Sequence, residues 1–122
     1  MDKQGERAMK LLEKSNSDRA EKLILNEIKK VVEELVPDSR IVLFGSRARG
    51  EATSESDWDI LILTDNVTPE FKKKIRAALY EIELEEGIII NSLILTINEW
   101  EQGRFYDHPI HERVESEGVV IR

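Results

Sequence analysis

The sequence predicts an α+β fold, a small mixed β-sheet with helices packed mainly on one face. Apolar residues at Ala20, Ile24, Ile28, Val31, Val32 and Leu35 recur at helical spacing, as do Phe71, Ile75, Ala78, Leu79 and Ile82. Short β-branched runs at Arg40–Phe44, Asp57–Thr64 and Ile88–Ile97 have the length and composition of strands. Helix, strand, strand, helix, strand, helix is the order expected of a small sheet with one covered face.

Taken in order, the first fourteen residues are partly helical, with Ala8, Leu11 and Leu12 forming a weak stripe before the polar break Ser15-Asn16-Ser17. Residues 1–17 therefore read as a helical extension and 18–122 as the domain proper. Asp18, three residues before Glu21, resembles a capping box and opens the first long helix, which ends at Pro37-Asp38. The strand Arg40–Phe44 stops at Gly45, and a loop rich in serine, glycine and charge follows. Asp65-Asn66 turns the chain after the second strand. Thr68-Pro69 starts a helix with proline at its first position, and Gly87 ends it. After the third strand, Asn98-Glu99-Trp100 begins a short helical piece, Pro109 opens another, and Val119-Val120-Ile121 adds a terminal strand.

A chain of 122 residues supports one core and is too short for two. It has no cysteine, which removes disulfides and thiolate metal sites and favours an intracellular setting. Runs such as Ile88–Ile90 and Leu93–Leu95 are far too short to span a bilayer, and Met1–Gly5 is polar with no signal-like apolar stretch behind it. A cytoplasmic protein without a membrane partner is expected. The net charge of −7 argues against a broad nucleic-acid surface. It leaves room for a nucleoside triphosphate, which needs few cations when a metal ion accompanies it.

The chemistry concentrates in Phe44-Gly45-Ser46-Arg47-Ala48-Arg49-Gly50 and Ser56-Asp57-Trp58-Asp59-Ile60. A strand ending in Gly45-Ser46 presents bare amides and a hydroxyl to phosphate oxygens. Arg47 and Arg49 either neutralise those oxygens or remain solvated loop charges. Asp57 and Asp59, two apart on a strand, project from one face and repel each other unless a cation lies between them. Carboxylate and phosphate oxygens are the ligands Mg²⁺ prefers. Trp58 points to the opposite face and reads as core. His108 and His111 read as surface histidines, and the Glu81–Glu86 acids with Lys72, Lys73 and Lys74 as the wet face of a helix.

This string resembles the DNA polymerase β-like nucleotidyltransferase superfamily and, within it, the minimal nucleotidyltransferases. Their signature is Gly-Ser, ten residues, then Asp-x-Asp; here residues 47–56 separate Gly45-Ser46 from Asp57-Trp58-Asp59. The resemblance covers roughly residues 18–97 and implies a palm-like fold. It implies that Gly45 and Ser46 hold the β- and γ-phosphates of ATP, with Asp57 and Asp59 ligating Mg²⁺ or Mn²⁺. Catalysis would be in-line attack on the α-phosphorus, with Asp57, Asp59 and Ser46 as its residues. Active relatives carry a third carboxylate on the next strand, and that place falls at Asn91, which has no charge and cannot act as a base. Two functions follow: transfer of a nucleoside monophosphate, AMP above all, to a hydroxyl of a protein or small molecule, or a nucleotide-binding module that docks a partner without turnover. The resemblance further implies an antitoxin whose partner is a HEPN-type toxin, and self-association is left open.

Overall fold

The computed structural model describes residues 3–122, with side chains described from Arg19 onward. Its elements are α1 (Lys3–Leu35), β1 (Arg40–Phe44), α2 (Ser46–Arg49), β2 (Trp58–Thr64), α3 (Pro69–Glu86), β3 (Ile90–Thr96), α4 (Ile97–Glu101), α5 (Pro109–Glu117) and β4 (Val119–Val120). The sheet order is β3-β2-β1-β4, with β2 and β3 parallel and the other pairs antiparallel. The expected mixed sheet is present. Helix α3 supplies the crossover that a parallel pair requires.

Four local expectations differ. Helix α1 runs without interruption through Ser15-Asn16-Ser17, so Asp18 is an interior residue and not a cap. Ser, Asn and Asp each cost a helix interior only about half a kcal/mol, and no proline stands there to break it. The loop after Gly45 begins with the single turn α2. Strand β2 starts at Trp58, which leaves Asp57 on the loop side of the boundary, and β3 starts at Ile90.

Alternation along β2 explains the two layers. Trp58, Ile60 and Ile62 face α1 and α3, where they pack with Ile28, Val32, Ile41, Leu43, Ile75, Leu79, Ile82, Ile90 and Ile94. Leu61 and Leu63 face the other way, toward Val42, Leu95, Trp100 and Val114. The two long helices thus cover one face, and the short α4 and α5 cover part of the other. A strand buried on both sides has to be apolar at every core position, which is why Asp59 stands out in β2.

The helix ends follow their local chemistry. Thr68 Oγ1 accepts from the Phe71 amide, Pro69 sits at the first position, and Gly87 closes α3 in the left-handed conformation. Thr96 and Glu99 form a reciprocal capping box that turns β3 into α4. His108 Nδ1 accepts from the Ile110 amide and so caps α5. His111 is half-buried, with its ring stacked on Trp100 at 4.5 Å, so it is a packing residue where a surface one was expected. Among the described residues, no helix is long and apolar enough to cross a membrane.

Not every acid of α3 belongs to a wet face. Glu83 Oε1 accepts from the Ile90 amide at 3.0 Å. Glu85 and Glu86 meet Glu27 of α1, and burial, then the Glu86 carboxylate, push the Glu27 carboxyl above its ordinary range. A proton kept on Glu27 gives its buried Oε2 a hydrogen bond that the ionised form lacks. Between the ordinary and the raised value the folded chain holds a proton that the unfolded chain has lost, so this contribution to stability is present at low pH and lost as pH rises through that window. Glu27→Gln is expected to melt above wild type at pH 7, with the difference vanishing below about pH 4, where the carboxyl is protonated in both states. A variant no more stable than wild type at pH 7 would contradict the strained pair.

Candidate functional site

The first turn of chain at the head of β2 brings the two predicted acids together. Asp59 is the second residue of β2 and pairs in register with Asn91, the second residue of the parallel neighbour β3. Asn91 Nδ2 donates to Asp57 Oδ2 and to Asp59 Oδ1, both at 3.1 Å. One amide nitrogen therefore stands between both carboxylates. Trp58, between them in sequence, is 1% exposed on the opposite face, as alternation requires. The Trp58 amide donates to the Ile89 carbonyl at 2.8 Å, and that bond ties the head of β2 to β3.

Gly45 borders the same pair. Phe44 opposes Asp59 in the β1–β2 ladder, so the next residue lies beside the Asp59 carboxylate. Gly45 has φ 78° and ψ −158°, a region open essentially only to glycine. A Cβ there would overlap Asp59 Oδ2. The glycine is required twice, for its backbone and for the space it leaves.

The Ala48 and Arg49 amides both donate to the Gly45 carbonyl, and this closes the single turn of α2. That leaves the Ser46 and Arg47 amides at the start of the turn without a backbone acceptor among the described residues. With the Ser46 hydroxyl they form a set of donors one strand away from the aspartates. Such a set binds oxyanions, and a cation held by the aspartates would bind the same anion from the other side.

The arginines do not share that role equally. Arg47, a candidate phosphate ligand from the sequence, lays its guanidinium over the Trp58 ring at 4.1 Å, on the α1 face of the sheet. It donates to the Ser56 carbonyl from Nε and Nη2, to the Thr53 carbonyl, and to Glu21 at 3.1 Å. Its side chain is 7% exposed. Arg47 thus fastens the 51–57 loop to α1 and holds the backbone that delivers Asp57. Burying a guanidinium needs this many acceptors, and two of them are carbonyls whose positions no residue pattern announces. Arg49 bonds Glu51 and Glu117, each at 3.1 Å, and these bonds, Glu51 first, raise its pKa further. It remains at the surface, within the same turn as Ser46.

The profile of the nucleotidyltransferase domain family matches residues 25–119. The chain belongs to that family. A Methanocaldococcus jannaschii protein named "Putative protein adenylyltransferase" is 38% identical over 74 residues, which cover 58% of this chain and 75% of the relative. A second protein of the same name from that organism is 35% identical over 79 residues, or 65% of this chain and 73% of the relative. The fold is similar to a crystal structure of a toxin-antitoxin with AMP-PNP, at TM-score 0.58 and 17% identity, covering 79% of this chain and 70% of that one.

Two substitutions separate the parts of this candidate site. Gly45→Ala is expected to displace Asp59, so that Mn²⁺ offered to the Asp57–Asp59 pair would bind at least about tenfold more weakly than to wild type, a misplaced carboxylate costing over 1 kcal/mol. Unchanged Mn²⁺ affinity in a folded Gly45→Ala protein would refute the contact. Arg47→Ala should cost about 1–3 kcal/mol of stability in urea, because it leaves two carbonyls and an indole face without their partner. A loss of nucleotide affinity with full stability would instead make Arg47 a phosphate ligand.

Proposed function

We propose that this chain binds ATP with a divalent cation and transfers AMP to a hydroxyl group of a protein. The observation that carries the reading is the convergence of Asp57 and Asp59 on a single donor beside Gly45. Two carboxylates aimed at one point suit a hard cation. Asn91 fits as a third ligand, because half a turn of its amide would offer Oδ1 where Nδ2 now stands. Asp57 and Asp59 would hold Mg²⁺ or Mn²⁺, and the ion would neutralise charge on the phosphates during in-line displacement. The Ser46 and Arg47 amides and the Ser46 hydroxyl would hold the outer phosphates. Gly45 would keep that turn close to the acids, and Arg49 is free to exchange an acid for a phosphate oxygen.

The relatives named as adenylyltransferases support AMP as the transferred group, and the AMP-PNP in the structural neighbour supports ATP as donor. A HEPN-type protein is the acceptor this reading favours, inside the cytoplasm, with residues 1–17 as an extension to the domain at 18–122. A second reading rests on Asn91 alone. A neutral amide cannot accept the proton of the attacking hydroxyl. The chain would then be a nucleotide-binding, partner-docking module with little turnover.

Parallel reactions with ATP labelled at the α- or γ-phosphate, Mg²⁺ and a HEPN-type protein distinguish the two. Nucleotidyl transfer predicts label on the acceptor from α-labelled ATP only, and its loss in Asp59→Asn. Asn91→Asp should raise the rate at least about tenfold, because a positioned base contributes roughly 10²–10⁴. No label from wild type under conditions where ATP binds would favour the docking module, and a fall in rate with Asn91→Asp would refute the place given to the third acid.

A further inference from the structure

We infer that the acceptor reaches the site as an extended polypeptide segment that adds to the free edge of β3, a step that rests on the transferase reading above. In-line displacement needs the incoming hydroxyl opposite the leaving pyrophosphate. Across the sheet, the candidate phosphate donors lie at the end of β1, the aspartates at the head of β2 and Asn91 on β3. With the triphosphate on the β1 side, the attacking group comes from the β3 side. Among the described residues no further strand covers β3, which is the edge of the sheet.

That edge is built to be paired. The Trp58–Ile89 hydrogen bond and the register with β2 turn the odd residues of β3 toward β2 and the backbone groups of Ile90, Ser92 and Ile94 outward. Glu83 occupies the Ile90 amide. The Ser92 amide has no partner among the described residues, while Ile94, 1% exposed, lies under its neighbours, so the open stretch of the edge is Ile90–Leu93. The strand reads Ile-Asn-Ser-Leu-Ile-Leu-Thr, seven residues with no charge, proline or glycine. Proteins protect solvent-facing edges with such residues, and this edge has none of them. A groove of about 580 Å³ runs beside it, lined by Arg76, Tyr80 and Glu83 of α3 and by Ile90, Asn91 and Ser92. Tyr80 in that groove is 57% exposed. Asn91, which lines the groove, donates to both aspartates.

A strand laid on this edge carries alternate side chains onto the Asn91 face, two strand spacings, about 9.5 Å, from the Asp59 backbone. Main-chain bonds to Ser92 and to the outward Ile90 carbonyl would give affinity, and the one side chain beside Asn91 would deliver its hydroxyl to the α-phosphorus. The oxygen–phosphorus bond forms as the bond to pyrophosphate breaks, and the hydroxyl proton leaves to solvent. Tyr80 and Arg76 would line the outer side of the added segment.

The test uses the full chain with ATP, Mg²⁺ and a library of short, end-blocked peptides bearing one central tyrosine, with AMP addition read by mass spectrometry. Peptides that are labelled are then remade with single backbone N-methyl groups. Strand addition predicts that labelling falls at least tenfold for methyl groups at alternate residues and is retained at those between. Ser92→Pro, which removes an outward amide without touching the β2 ladder, should lose peptide labelling at least tenfold and keep the thermal shift given by ATP with Mg²⁺. A methyl scan without alternation overturns the inference, as does labelling of a protein acceptor with no labelling of any peptide. Sedimentation supplies another contrary result: a wild-type dimer that Ser92→Pro makes monomeric with peptide labelling intact would assign the edge to a second copy of this chain. If wild type labels neither peptide nor protein, the transferase reading itself fails, and this inference with it.

Discussion

Two carboxylates on one strand face, with an apolar strand continuing behind them, repel each other and resist burial. The chain meets this constraint at the head of β2 by placing a single amide nitrogen between Asp57 and Asp59 and leaving both acids half-exposed. Much of the local architecture follows from holding them there. The parallel register puts Asn91 beside Asp59. The antiparallel register brings the end of β1 to the same point, where only glycine leaves space for the Asp59 carboxylate. A shift of either register by one residue would send the acids to the opposite face, into the core under α1.

The same constraint divides the labour of the Gly-Ser-Arg-Ala-Arg segment. Gly45 makes space, Ser46 and the free amides of its turn offer donors, and Arg47 turns away to anchor the loop. An arginine stacked on a buried tryptophan and bonded to two carbonyls is a structural clamp. Its effect on the site passes through the backbone before Asp57. Arg49 is the more accessible cation, balanced in this structure by Glu51 and Glu117 at the end of α5. The end of the chain is thereby tied to the turn that holds the candidate phosphate donors.

The sheet and its helices were legible because their signals are local. Helical spacing under Ile24–Leu35, proline after Thr68, glycine at 87 and β-branched runs each act within a few residues. The acids were legible too, since alternation alone puts Asp57 and Asp59 on one face and Trp58 on the other. What stayed hidden depends on partners distant in sequence. Arg47 finds Glu21, 26 residues away, and Glu27 finds Glu86 across two helices. Neither pairing has a spacing rule. The polar stretch Ser15-Asn16-Ser17 misled for a different reason: such residues weaken a helix slightly, and only proline or a competing cap stops one. Asn91 was found by its place in a known pattern, while its hydrogen bonds to both acids emerge only when β3 lies beside β2.

The central claim is that Asp57 and Asp59 form one cation site that serves a triphosphate held at Gly45-Ser46. Thermal melting with ATP, with Mg²⁺ and with both, on wild type and on the Asp57→Asn/Asp59→Asn double variant, tests it most directly. A specific ligand raises the melting temperature by mass action. The account predicts a shift in wild type that needs both ligands and is absent from a double variant that still folds. An equal shift in the double variant, or none in wild type with saturating ATP and Mg²⁺, would contradict it.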